Sequence, residues 1–88
     1  MQYALVIQPD GTETEIGFAG SLLDAAEPYV EEPAVYTVRV GGKPHAMVCD
    51  DLGYAKALPL NRKATCLYGT GHAVLGTVVV GGLRSEPG

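Results

Sequence analysis

Tryptophan is absent from this sequence, phenylalanine occurs once, and five tyrosines supply the rest of the aromatic surface. With 88 residues and so little aromatic volume, the chain has material for one hydrophobic core and not for two. Its stability is expected to be modest, and self-association would bury more apolar surface, so a homo-oligomer is expected. Cysteine is scarce as well. Cys49 and Cys66 lie far apart with no C-x-x-C pair of the kind zinc or redox sites use, and both are expected to be free thiols. No apolar run approaches the roughly 20 residues that a membrane-spanning helix needs. The opening MQYALVIQPDG has no basic leader segment and is broken by Pro9 and Asp10, so a cytoplasmic location without a membrane partner is expected.

Basic residues are also few, six against ten acidic ones, with a pI near 4.9. A chain so poor in positive charge lacks the broad basic face that duplex nucleic acids require, and no nucleic-acid partner is expected. The charges it has are unevenly placed. Residues 1–51 hold nine acids against Arg39 and Lys43, a net of −7, whereas residues 52–88 hold Lys56, Arg62, Lys63 and Arg84 against Glu86, a net of +3. A local positive field on an acidic protein suits a small anion.

Along the chain, Tyr3 to Gln8 is apolar and β-branched, Pro9-Asp10-Gly11 is turn chemistry, and Thr12 to Phe18 places Ile16 and Phe18 in alternation. These predict an antiparallel hairpin. Ser21, with Asp24 three positions on and Leu22, Leu23, Ala25 and Ala26 around it, predicts a capped helix that Pro28 either ends or kinks. Val35 to Val40 and His45 to Asp50, joined by Gly41-Gly42-Lys43-Pro44, predict a second hairpin, and Gly53 to Leu58 an optional short extended piece. Asn61 is a good N-cap for a two-turn helix through Ala64, Leu67 and Tyr68 that Gly69 ends. Val74 to Val80, with three consecutive valines at its end, predicts a central strand buried on both faces. The order ββαββ(β)αβ implies an α+β fold in residues 1–83, with a mostly antiparallel sheet in one layer and two short helices on one of its faces, and a frayed tail over 84–88.

The stretch LPLNRKATCLYG followed by VLGTVVVGG resembles a family of small phage and plasmid proteins, mainly actinobacterial, known as a domain of unknown function. The likeness covers most of the chain: Pro9-Asp10-Gly11, the helix from Ser21 to Glu27, the acidic strand end Cys49-Asp50-Asp51, and an L-P-x-N-x-x-A-T segment at Leu58 to Thr65. Pro28 departs from it, since such helices usually run on. The resemblance implies a phage setting and a fold, and no chemistry.

Three clusters carry residue types suited to a site. At the start of the second helix, Arg62 and Lys63 sit where the helix dipole already presents positive charge, an arrangement a bound anion would relieve by using free N–H groups and the Thr65 hydroxyl. A short solvated helix with harmless surface charges explains the same residues. Tyr68-Gly69-Thr70-Gly71-His72 offers two side chains that could stack on a base, although a helix stop and a tight turn account for the glycines, and no dinucleotide fingerprint is present. His45, Cys49, Asp50 and Asp51 have metal-binding chemistry, but four residues of extended strand span roughly 13 Å and adjacent residues face opposite ways, so no metal site is expected. No catalytic residues are expected either: neither Ser21 nor Ser85 sits in a G-x-S-x-G elbow, and the two histidines flank turns.

The sequence thus predicts a non-catalytic protein, without cofactor, that sequesters a small anionic, nucleotide-like ligand through Asn61, Arg62, Lys63, Thr65, Tyr68 and His72. In a phage setting this would act as an anti-defence sponge for a host immune signal, a step taken by analogy. The alternative is a protein–protein interaction module that inhibits a host enzyme through its acidic half.

Overall fold

The computed structural model describes residues 2–83, so the tail expected over 84–88 lies outside the described residues. Strands β1 (Gln2–Ile7) and β2 (Glu13–Phe18) form the first hairpin, and β3 (Pro33–Val40) and β4 (Lys43–Asp50) the second. Helix α1 (Leu22–Ala26) lies between the hairpins, and α2 (Arg62–Tyr68) precedes the final strand β5 (Val78–Gly81). All four pairings are antiparallel, in the order β2-β1-β5-β4-β3. The last strand in sequence therefore joins the two hairpins, and the fold is α+β.

The central position of β5 follows from its residues. Val78, Val79 and Val80 are each 0% exposed, a state available only to a strand with neighbours on both edges and cover on both faces. Burial of each contributes roughly 1.5–2 kcal/mol. Their side chains alternate between two clusters: Val78 and Val80 join Leu5, Ile7, Met47 and Ala64, while Val79 joins Ala4, Val6, Val48, Ala26 and Val30. Ala64 belongs to α2 and Ala26 to α1. The helices thus lie on opposite faces of the sheet, and the expectation of two layers with both helices on one face is corrected. A central run of consecutive valines would leave one face wet under one-sided cover.

Helix ends obey local chemistry. The Ser21 hydroxyl accepts from the Asp24 amide at 3.2 Å, and α1 stops at Ala26, after which Tyr29 and Val30 N–H both donate to the Ala26 carbonyl. That turn, imposed before Pro28, drops Val30 into the core. At the end of α2, Gly69 takes φ +69°, and its amide donates to the Thr65 carbonyl.

Two segments differ from the sequence reading. Residues 51–57 are a succession of turns rather than a strand, with Gly53 N–H donating to Asp50 O, Lys56 N–H to Leu52 O and Ala57 N–H to Tyr54 O. The strand expected from Val74 begins only at Val78, because Gly76 bends the chain at φ +83° and donates to the Pro59 carbonyl. A Cβ at Gly76 would come within 2.8 Å of the Leu58 side chain, so both the bend and the packing require glycine.

Asn61 holds these parts together. It is 0% exposed, and its Nδ2 donates to the carbonyls of Ile7 and Gly76, both at 2.9 Å, while its Oδ1 accepts from the Ala64 amide at 3.1 Å. One amide side chain thereby joins the end of β1, the bend before β5 and the first turn of α2. Asn61→Ala should cost about 2–4 kcal/mol, since it removes the cap and strands two buried carbonyls. Urea unfolding with an unchanged m-value would measure the loss, and a change below 1 kcal/mol, on the order of an exposed cap alone, would refute the bridging role.

Candidate binding site

One face of the sheet carries an open concavity of about 330 Å³, near the lower end of the range for small-molecule sites. Its floor is Met47 and Cys49 of β4 beside Tyr36 of β3, and its walls come from Tyr68 at the end of α2 and from residues 72–75. Gly53 and Tyr54, from the run of turns after β4, form the remaining side with Asp50 and Asp51. Tyr36 reaches this face because it shares its side of β3 with Val38, which is buried in the same core cluster as Met47. The Tyr36 and Tyr68 rings meet edge to face, with centroids 5.5 Å apart and planes at 65°. Such a pair adds about 0.5–1.5 kcal/mol beyond its burial. Tyr54 is different: it is 77% exposed at the concavity.

The turn that presents Tyr54 is anchored by charge. Asp50 is 6% exposed in its side chain, and its carboxylate accepts from Lys56 Nζ at 2.7 Å and from the Leu52 amide at 2.8 Å. Lys56 also reaches Glu31 at 3.2 Å, an exposed pairing of little weight. Burial pushes the Asp50 carboxyl up, but the Lys56 ammonium and the Leu52 amide more than offset it and hold the group below the ordinary carboxylate range. On the floor, burial and the carboxylates of Asp51 and Asp50 push the Cys49 thiol up to about 11. At neutral pH Cys49 is therefore a thiol and a poor nucleophile or metal ligand. The neighbouring Cys49, burial and Asp51 together raise the Tyr36 phenol above its usual value.

The six residues singled out from the sequence are divided by the fold. Tyr68 and His72 do line the concavity. Asn61 is occupied entirely within the protein, and the Thr65 hydroxyl donates to Asn61 O at 2.8 Å and accepts from the Val74 amide at 2.9 Å. Lys63 forms an ion pair with Glu13 of β2, and Arg62 is exposed on the first turn of α2. From Arg62 to Tyr68 the helix rises roughly 9 Å, so the two cations stand at the end of α2 away from the concavity. Among the described residues no Lys or Arg lines it. The convergence of cations and amides on one anion is thus not formed at this site.

The metal-like set is likewise spread out. His45 Nδ1 lies 2.9 Å from the Gly81 carbonyl oxygen, an acceptor only, which makes Nδ1 the protonated nitrogen. Among the described residues no three His, Cys, Asp or Glu side chains gather as a metal site, and no helix is long and apolar enough to cross a membrane. Tyr36 and Tyr54 are not among the candidate residues of the sequence, and Asp51 enters there only in the metal-like set. Tyr36 carries a usable signal, its alternation with Val38, but nothing in D-D-L-G-Y foretells that its turns fold back beside α2. Comparison with protein-family models, with curated proteins and with solved structures gives no match.

Two outcomes follow from these charges. Lys56→Met leaves Asp50 nearly buried without its cation and should cost about 1–3 kcal/mol in urea unfolding at pH 7. Because the folded Asp50 value is depressed, its stabilisation is present above the unfolded value of 3.8 and lost as pH falls through the folded one, so the variant's penalty should shrink on acidification. Cys49 behaves in the opposite sense. With its folded value raised, stability is intact below 9.0 and falls as pH climbs toward about 11, a loss of about 1–3 kcal/mol that Cys49→Ala should remove. The Tyr36 phenol leaves a remainder at the alkaline end.

Proposed function

We propose that this chain is a non-catalytic domain that captures a small molecule in the concavity bounded by Tyr36, Tyr54 and Tyr68. One observation carries the reading. Tyr54 is held 77% in water beside an open hollow, on a turn pinned by the nearly buried Asp50–Lys56 pair, so an anchored backbone presents an aromatic ring that the core does not use. Rigid aromatic surface placed beside a pre-formed hollow is the usual material of a ligand site. The protonated Cys49 and the capping duty of Ser21 favour binding over nucleophilic chemistry.

A phage setting, implied by the L-P-x-N-x-x-A-T likeness, makes sequestration of a signalling molecule a fitting use for such a domain, in the host cytoplasm. The anionic, nucleotide-like ligand expected from the sequence has less support than ligand capture itself, because its cations stand apart from the hollow. A base stacked on Tyr54 or Tyr68 would keep part of that reading.

An NMR titration of the 15N-labelled chain with a panel of small metabolites tests the proposal. Binding compounds should move the amide signals of Tyr54, Tyr68 and Ala73 together, and Tyr54→Ala should weaken them about tenfold, the effect of losing one stacked ring, ~1.4 kcal/mol. Shifts confined to Arg62 and Lys63 would return the site to the start of α2, and an unaltered affinity in Tyr54→Ala would remove the concavity from consideration.

A further inference from the structure

Resting on the proposed ligand site, we infer that the guest is a compact organic cation, an alkylammonium head group seated among Tyr36, Tyr54 and Tyr68 with Asp51 as its counter-ion. The case is built from what surrounds the hollow. Three phenol rings reach it from three separate elements: Tyr36 from β3, Tyr54 from the turns at 51–57 and Tyr68 from the last position of α2. Aromatic faces carry negative potential, and several rings around one space are the usual receptor for an ammonium group that has lost part of its water.

The formal charges point the same way. Asp50 and Asp51 both border the hollow, whereas no lysine or arginine does among the described residues, and His72 is the one other titratable base there. Asp50 is already neutralised by Lys56 at 2.7 Å. Asp51 lines the hollow, forms no ion pair among the described residues, and is a hydrogen-bond partner of the Tyr36 phenol, which leaves its negative charge without a cation. Its charge is thus the one beside the hollow that a cationic guest would neutralise. Net charge −4 adds a field that draws cations and repels phosphates. The apolar part of the lining, Met47, Val74, Leu75 and the thiol of Cys49, suits methyl or methylene groups better than the heavily hydrated head of a bare metal ion.

Among the described residues, none of the second-half cations that made an anion attractive in the sequence lines the hollow. Lys56 is bound to Asp50 and Glu31, where its charge is taken up in offsetting Asp50, Lys63 is bound to Glu13, and Arg62 is exposed on the first turn of α2. A phosphate in this place would face the Asp51 carboxylate, with no lysine or arginine among the described residues lining the hollow to offset the repulsion.

Three probes applied to the 15N-labelled full chain separate the outcomes: choline chloride, its uncharged isostere 3,3-dimethylbutan-1-ol, and adenosine monophosphate. Choline should produce saturable shifts at Tyr54, Tyr68 and Ala73, with the alcohol bound about fivefold or more weakly, the share expected of the charge. Asp51→Asn should bring choline down to the level of the alcohol while leaving the alcohol's own affinity in place, which distinguishes loss of the counter-ion from loss of the fold. Equal binding of choline and alcohol, or nucleotide binding at these signals without choline, overturns the cation and keeps the ligand site. Silence of these signals toward all three probes overturns the cation class, and silence toward the metabolite panel as well overturns the site.

Discussion

A single buried amide side chain carries the connectivity of this fold. Asn61 satisfies two carbonyls from separate parts of the chain and one amide of α2, and with its backbone N–H it also donates to Val74 O at 2.8 Å. Without it, the end of β1, the bend at Gly76 and the start of α2 would each hold an unpaired polar group in a dry interior, a cost that no surrounding apolar contact offsets. Because Asn61 places α2 over the sheet, it also sets where Tyr68 meets Tyr36. The wall of the concavity therefore depends on a bond network at the opposite end of the helix, which reaches the site through Val74.

The central strand imposes the second constraint. β5 closes the gap between two local hairpins, and its three valines demand cover above and below. α1 supplies one side and α2 the other. Chain continuity explains the residue spacing. The run from Asp51 to Thr77 leaves β4, passes through the anchored turns, builds α2 on one face and returns through the Leu60–Leu75 bridge before β5 can enter the sheet. The concavity sits where this excursion leaves the end of β4, between the departing turns and the returning segment.

Folding also redistributes charge. The linear sequence separates an acidic first half from a basic second half, but Lys56 crosses to Glu31 and Asp50, and Lys63 crosses to Glu13. Part of the positive field read along the chain is taken up by tertiary pairing, and among the described residues the hollow is lined by acidic and aromatic side chains without lysine or arginine. The same pairing acts mechanically, since Lys56 draws the 51–57 turns against the strand end and so presents Tyr54 beside α2.

Local chemistry was decided by the sequence itself. The Ser21 and Asn61 caps, the glycine stop at Gly69, the break at Pro28 and the two hairpin turns depend on interactions within a few residues, and these, with the strand-forming run Val78 to Val80, were legible from residue type and spacing. The consecutive valines also imply cover on both sides of the sheet, which two helices on one face would not provide. What tertiary structure alone decided are the partners between distant residues: the Asn61 amide with Ile7, Lys63 with Glu13, Lys56 with Glu31, and the meeting of Tyr36, Tyr54 and Tyr68 around one hollow. Hydrogen bonds and ion pairs act over a few ångströms in space, whereas periodicity reports only on neighbours along the chain. A site assembled from a strand, a run of turns and a helix end therefore leaves no pattern in sequence, and its chemistry becomes visible only when the sheet brings them side by side.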